Sequence, residues 1–347
     1  MAFKRFSRFS RFSPIRLAVT TPMAAVSMAE PSAETEPGAP ASVLQSLNRI
    51  NRRLERILMD LREVGSADTE LRAIARELII TVGRDTDIAL ASIFLNQIVG
   101  AYAIRHCTEA AIIVCLIARA MDRTPPEVMI VTAAALTMNV AMVRQAELFQ
   151  GRDGALSSEE RAIVLRHPSD SADMLRYAGI TDERWLELVL LHHENDDGSG
   201  YPQGRLGDEI SQNAKLISMA DRYCAFVSAR NYRRSLPPPE ALARLGSEGA
   251  MAVDQAVLAH VKRLLGPYPP GTLVKLENGE TGVVSSRANE HGSLTVHVLR
   301  GADGTSFERA ESRKLANAGC AIVEALDEDS ARLRFTMQHI WGELAAL

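Results

Sequence analysis

Residues 68–265 alternate helical apolar patterns with short polar breaks, and they contain no convincing period-two alternation. Prolines, glycines and short polar residues mark the breaks, which fall at 124–126, 151–154, 196–200 and 237–239. A chain with this pattern cannot easily build a sheet in this region. The sequence therefore predicts an all-helical central domain over 67–265.

The texture changes after the proline-rich stretch 267–271. Short strands are predicted at 272–276, 282–285 and 294–299, with Asn278-Gly279 as a turn. A helix start at 327–330 and the apolar pattern that follows it predict a final helix. We expect residues 266–347 to form a small β module plus a C-terminal helix.

The N-terminal 66 residues divide into two parts. Residues 1–42 begin with an Arg-Phe-Ser repeat and become rich in Pro, Glu and Ala, which predicts a disordered tail; a secretory signal is an alternative, but Thr20-Thr21-Pro22 interrupts its apolar core. From Val43 to Val64 apolar residues recur in steps of four and three, which predicts a heptad helix over 43–66. This helix forms a homodimer through 43–64 or packs on its own domain, and the pattern favours neither.

Composition places the chain among ordinary globular proteins. It has 347 residues, enough for two domains, with 46% hydrophobic and 24% charged residues and a net charge of -4, so nothing indicates a DNA partner. Its four cysteines include no C-x-x-C pair, which favours reduced thiols, and no apolar run reaches transmembrane length. We expect a cytoplasmic protein without a transmembrane segment.

The segment from His192 to Pro202 carries the strongest chemical signal. It places two adjacent imidazoles, three carboxylates and a Gly-Ser-Gly turn directly after an apolar helical run. Neighbouring buried histidines cost stability unless both ring nitrogens find partners, and a metal ion is the usual partner. The segment predicts half of a metal-bound phosphate site.

Three more titratable residues interrupt apolar helical faces. Taken alone, His106 is better explained as a satisfied core histidine, and Asp221 as a buried partner of Arg222 or another arginine. His167 precedes Pro168, where it is simply a polar residue at a predicted helix start. Their value lies in their joint order along the chain.

That order resembles the HD-GYP family, a branch of the HD metal-dependent phosphohydrolases whose members hydrolyse cyclic di-GMP. His192-His193-Glu194 and the run from Asp197 to Pro202 match its late signature, His-His-Glu followed by Asp-Gly-x-Gly-Tyr-Pro. Further matches are His106, His167-Pro168, Ala220-Asp221, and the run Arg230-Asn231-Tyr232-Arg233. The resemblance covers roughly 98–265 plus the short β tail, and it implies a mainly α, all-helical HD-type domain.

The resemblance also implies roles for these residues. A divalent metal, Fe or Mn, would be bound by His167, His192 and His193, and a second by His106 and Asp221. Cyclic di-GMP or a related dinucleotide would be the partner. Its phosphates would meet the set Tyr201, Arg230 and Arg233.

The chain departs from the family at the doublet that names it. Met138-Asn139 stands where the family has His-Asp, and Met142 stands where it has Lys. Tyr102 and Cys224 likewise replace acidic residues of the pattern. Because an anionic bridge holds two cations about 3.5–4 Å apart, the loss of the Asp predicts one metal ion or none.

Two functions follow, and the chemistry favours the first. The chain is a dinucleotide-binding or scaffolding pseudoenzyme of cyclic di-GMP signalling, or it is an active metal-dependent phosphodiesterase with a non-standard metal site. The missing doublet supports the former, and the intact signature at 192–202 supports the latter. A third possibility keeps only the fold, with structural histidines.

Overall fold

The structure is a computed structural model that describes residues 41–61, 63–145, 156–228, 235–247, 253–288, 293–315 and 317–347. The predicted tail lies outside this range, except that Ser42 belongs to the folded part. Its hydroxyl accepts a hydrogen bond from the Gln45 backbone N–H and thereby caps the first helix. The predicted boundary at 42 is therefore slightly late.

Ten α-helices precede the sheet in the described part of the chain, which confirms the helical class. They are α1 Val43–Met59, α2 Ala67–Arg84, α3 Thr86–Phe94, α4 Tyr102–Ala120, α5 Pro125–Thr137, α6 Ser158–Tyr177, α7 Glu183–Leu191, α8 Gln212–Val227, α9 Pro238–Ser247 and α10 Gln255–Leu265. Short 3-10 turns lie at Val140–Met142 and Gly207–Glu209. α4 is buried along most of its length and contacts α5 and α8.

The helix that carries the heptad pattern packs within its own chain. Val43, Leu47, Ile50 and Leu54 of α1 are fully buried against the remaining helices. The helix ends at Met59, before the predicted 66. A short heptad repeat is compatible with packing against a partner helix or against the protein's own core. Here the apolar face of α1 packs in the protein's own core. A homodimer through 43–64 would require α1 to leave that core.

The C-terminal region is a five-stranded antiparallel sheet with strand order β4-β3-β2-β1-β5. Its strands are β1 Leu273–Leu276, β2 Thr281–Ser286, β3 Thr295–Arg300, β4 Ser306–Lys314 and β5 Ile322–Leu326. The three predicted strands are present. The single predicted final helix is wrong: the chain instead forms α11 Glu328–Ala331, α12 Met337–Trp341 and a 3-10 turn at Gly342–Ala345, because Arg332 is left-handed at φ 49°.

The sheet packs directly on the helices. Leu273 and Val283 belong to the same apolar core as the helical residues, and Gly271 approaches α3 so closely that a Cβ would lie 2.8 Å from the Ala91 Cα. The Arg287 Nε lies 2.6 Å from the Asp87 Oδ1 across this junction. The predicted β module therefore packs against the helical region and shares its apolar core.

One stretch, Pro125–Gln145, is long and apolar enough to pass a test for a membrane span by length and composition. It contains α5, and most of the stretch is buried inside the protein. Burial on this scale is typical of a core helix. Cys107, Cys115, Cys224 and Cys320 are buried free thiols, in agreement with the expected reduced state.

Candidate metal centre

His167 lies in the middle of α6, so the predicted helix start at His167-Pro168 is wrong. The helix begins ten residues earlier, at Ser158, where Ser157 and Glu160 form a capping box. In a regular helix the Val164 carbonyl would accept from the backbone N–H of residue 168, and proline has none. The His167 Nδ1–H donates to that carbonyl at 2.6 Å. Pro168 thus leaves free the acceptor that orients the imidazole.

His192 is oriented by the same device at a helix end. It is the residue after α7, whose last carbonyls lack helical donors. Its Nδ1–H donates to the Val189 carbonyl at 2.6 Å. Both histidines therefore carry their proton on Nδ1 and present an unprotonated Nε2.

These two lone pairs face one another. The Nε2 atoms of His167 and His192 are 3.3 Å apart, in a buried position. Burial, with the neighbouring His192, lowers the pKa of His167 to about 4, and burial also lowers the pKa of His192. Both rings are neutral at pH 7, so neither can donate to the other. A cation between them would satisfy both.

His193 completes a cluster that fits a metal ion. One donor atom each from His167, His192 and His193 lie within 4.8 Å of one another. Ligands of a tetrahedral ion with metal–nitrogen distances near 2.1 Å are about 3.4 Å apart, so a small contraction suffices. Burial lowers the pKa of His193 well below its usual value, which keeps it a neutral ligand. The sequence-predicted group of three is therefore brought together.

His106 and Asp221 form a buried pair beside this cluster. The His106 Nε2–H donates to the Asp221 Oδ1 at 2.8 Å, and the Asp221 Oδ2 lies 4.0 Å from the His193 Nδ1. Burial raises the pKa of Asp221, but the hydrogen bond from His106 and the nearby imidazoles hold it well below its usual range. Asp221 is thus paired with a histidine, whereas the sequence alone suggested an arginine.

The His106 pair offers few ligands to a second ion. Its Nδ1 is buried and has no hydrogen-bond partner among the described residues, so one lone pair is free. Met138, at the doublet position, is fully buried in the apolar core. Burial raises the pKa of the Cys107 thiol to about 12, and the neighbouring Asn139 acts in the opposite direction. Neither Met138 nor Asn139 supplies an anionic bridge between two ions.

Glu194 shapes the loop that follows the histidines. Its carboxylate, almost fully buried, accepts from the backbone N–H groups of Gln203 at 2.7 Å and Arg205 at 3.0 Å. Gly200 passes so close to the start of this loop that a Cβ would lie 2.4 Å from the Asn195 backbone nitrogen. The Glu of the signature therefore binds the backbone of the loop, and the second Gly permits a close approach of that backbone. Glu194 does not act as a ligand beside the imidazoles.

The loop places Tyr201 over the cluster. Its ring stacks on His193 with centroids 4.7 Å apart and an interplanar angle of 26°. Burial raises the pKa of Tyr201 above its usual value, so its hydroxyl remains a donor at neutral pH. Tyr201 therefore lies beside the histidine cluster, and its role in ligand binding stays a prediction.

Two cations of α8 hold the loop from the other side. The Arg222 guanidinium donates to the Asn195 Oδ1, and the Lys215 Nζ lies 3.0 Å from the Asp196 Oδ1. Lys215 and Arg222 are seven residues apart and so share a helix face, a spacing visible in the sequence. Sequence reasoning missed both pairs.

The two arginines expected to meet phosphates, Arg230 and Arg233, lie outside the described residues. The described chain reaches Ser228, whose hydroxyl donates to the buried Glu109. Glu109 also lies 3.3 Å from Arg105, and burial raises its pKa. The roles of Arg230 and Arg233 therefore stay predictions.

Residues 98–257 match the sequence family described as an HD domain, and this range contains every histidine of the cluster. This part of the chain is therefore similar to HD domains. Its fold is shared with a solved HDG"Y"P protein from Bdellovibrio bacteriovorus, at a TM-score of 0.55 over 66% of this chain and 74% of that one, with 14% identity. At that identity the likeness concerns the fold alone.

Curated relatives of the HD domain are cyclic dinucleotide phosphodiesterases by name. The chain is 30% identical over 196 residues to a cyclic di-GMP phosphodiesterase of Pseudomonas aeruginosa, covering 56% of this chain and 47% of the relative. It is 29% identical over 168 residues to a 3'3'-cGAMP-specific phosphodiesterase of Vibrio cholerae, covering 48% and 36%. The chain thus spans less than half the length of these relatives.

Proposed function

We propose that this HD domain binds a cyclic dinucleotide, cyclic di-GMP or a close relative, at a site organised around one divalent metal ion, without ordinary turnover. The observation that carries the proposal is the pair of unprotonated Nε2 atoms of His167 and His192, 3.3 Å apart. Two buried lone pairs at that distance repel unless a cation or a donor lies between them. The identity of the ligand, a cyclic dinucleotide, is inferred from the names of the relatives.

His167, His192 and His193 would hold the metal, with Fe or Mn expected from the family resemblance. Bound there, the ion would supply a Lewis acid for a phosphate oxygen. Tyr201, stacked on His193, presents a hydroxyl donor to the same ligand. Arg230 and Arg233 would complete the phosphate contacts through forked donors.

The absence of turnover follows from Met138 and Asn139, the two residues directly after α5. A two-metal hydrolase needs an anionic bridge to hold its ions and generate a nucleophile. Asn139 is neutral, and Met138 is buried in the apolar core. An active phosphodiesterase stays the alternative, because the three histidines and the His106–Asp221 pair are in place.

The test combines metal analysis, dinucleotide titration and turnover on the full chain. We expect about one Mn²⁺ or Fe²⁺ per chain, saturable cyclic di-GMP binding, and no hydrolysis with either metal supplied. His192→Ala should abolish metal uptake, whereas His260→Ala, which changes a partly exposed residue of α10, should not. Steady release of linear dinucleotide by the parent protein would favour the enzyme instead.

Restoring the His-Asp doublet tests whether its loss limits the site to one metal ion. Met138→His with Asn139→Asp returns both missing ligand types, and we expect the metal content to rise above that of the parent. Met138 is fully buried in the apolar core, so the fold of the double variant must first be verified by its melting temperature. A folded variant with unchanged metal content would contradict the assignment of these positions.

A further inference from the structure

Two asparagines occupy the buried face of α1, a helix that the proposed function does not use. Asn48 is 1% exposed and Asn51 is fully buried. A buried amide costs free energy unless its donors and acceptor are bonded. Apart from the bond of Asn48 to the Leu44 carbonyl of its own helix, their partners lie in the segment 97–99 that leads into α4 and in α4 itself.

The bonds of Asn48 and Asn51 fix both polar groups of Val99. The Val99 N–H donates to the Asn48 Oδ1 at 2.9 Å, and the Val99 carbonyl accepts from the Asn51 Nδ2 at 2.9 Å. The Asn48 Nδ2 also reaches the Gln97 carbonyl at 3.1 Å. Two side chains of α1 therefore hold this backbone much as a neighbouring strand would.

Gly100 shows that the approach of Asn51 is built into the backbone. Its φ is 135°, a conformation that favours glycine, and a Cβ there would lie 2.7 Å from the Asn51 Nδ2. Any other residue would collide with the amide. The contact between Asn51 and this segment thus depends on two residues at once.

Asn51 also reaches α4 beyond His106. Its Oδ1 accepts from the Thr108 Oγ1 at 2.7 Å. A buried helical threonine usually donates to a carbonyl of its own helix, as Thr81 does to the Glu77 carbonyl at 2.7 Å. Thr108 instead donates out of its helix. Asn51 therefore bonds to the chain on both sides of His106, at Val99 before α4 and at Thr108 within it.

We propose that Asn51 is a positioning residue of the candidate site, acting through Val99 and Thr108 to set where α4 presents His106 to Asp221. The 2.8 Å hydrogen bond between His106 and Asp221 joins α4 to α8, so its length and angle depend on where α4 lies. The ligand-binding consequence rests on the proposed function, whereas the positioning does not.

The test uses Thr108→Val, which removes one hydroxyl, with Thr108→Ser as the rescue and Thr81→Val as the matched control. The direct readout is the NMR signal of the His106 Nε2–H in the full, metal-free chain. We expect Thr108→Val to shift or broaden this signal, Thr108→Ser to restore it, and Thr81→Val to leave it unchanged. Melting temperatures record the stability change of each variant.

The second readout is the affinity of the Mn²⁺-loaded chain for cyclic di-GMP, measured well below every melting temperature. We expect about a fivefold loss in Thr108→Val, the equivalent of one net hydrogen bond, and about parental affinity in Thr108→Ser. An unchanged His106 signal in a folded but destabilised Thr108→Val would overturn the proposal and leave Asn51 a purely stabilising residue. If the parent binds no dinucleotide, the proposed function fails, and the His106 signal still decides this proposal.

Discussion

Replacing Pro168 by Ala should stabilise the protein and weaken metal binding at the same time. Proline in a helix interior costs about 3 kcal/mol relative to alanine, and Pro168 lies inside α6. Pro168 is also buried, so the substitution removes about two buried methylene groups. Their loss destabilises the protein by roughly 1.6 kcal/mol and offsets part of the stabilisation. The expected net stabilisation is about 1–2 kcal/mol, or a rise in melting temperature of roughly 2–6 °C.

The expected loss of metal affinity arises at His167. Alanine at 168 supplies a backbone N–H that competes for the Val164 carbonyl, the acceptor that now holds the His167 Nδ1–H at 2.6 Å. Loss of such an orienting bond typically lowers metal affinity by about 10–100-fold. Calorimetry on the metal-free protein measures the first effect, and Mn²⁺ competition against a chelator measures the second.

Pro126→Ala is the control, because Pro126 lies in the first turn of α5, where its missing N–H has no helical partner. It should change neither quantity appreciably. If Pro168→Ala raises the melting temperature but leaves the Mn²⁺ affinity unchanged, the Val164 carbonyl can serve both donors and our account of the His-Pro step is refuted. A lower melting temperature would show that α6 carries no proline strain.

Three further outcomes are expected. Gly200→Ala should destabilise the protein by about 1–3 kcal/mol in urea unfolding, because its Cβ meets backbone atoms at 2.4 Å, whereas Gly65→Ala has open space and should be nearly neutral. Glu194→Gln replaces a carboxylate oxygen by a donor and should speed amide hydrogen exchange at Gln203, with exchange in α2 unchanged. Burial lowers the pKa of His167 in the folded, metal-free protein to about 4. Its contribution to the free energy of unfolding is therefore fully present above pH 6.5 and falls between pH 6.5 and 4, by roughly 2 kcal/mol at pH 5. His167→Gln should flatten the pH dependence of stability in urea unfolding across that window.

The helical region was predictable from sequence because its apolar periodicity is long and its breaks are clear. The histidine cluster was predictable for a different reason, since the signature at 192–202 is specific and His167 matches a second motif of the same family. The position of His167 within a helix was not. Proline normally ends helices, and only the side-chain bond from His167 to Val164 shows how this one continues.

Features that depend on distant partners had no local signal. His106 and Asp221 are 115 residues apart, and each alone suited a core role. β4 was missed because its nine residues are mostly exposed and lack apolar alternation, and such a strand exists only where β3 offers an edge. The heptad seam of α1 satisfied two arrangements equally, and only the folded core distinguishes them.

The departure at Met138-Asn139 and the survival of the three histidines are compatible because the two halves of the site are supported separately. His167 is oriented by the Val164 carbonyl of α6, and His192 by the Val189 carbonyl of α7. Neither bond involves α5. A change at Met138 or Asn139, directly after α5, can therefore remove the ligands of a second ion while both orienting bonds stay in place. A domain built this way can lose turnover and retain a metal-organised binding site.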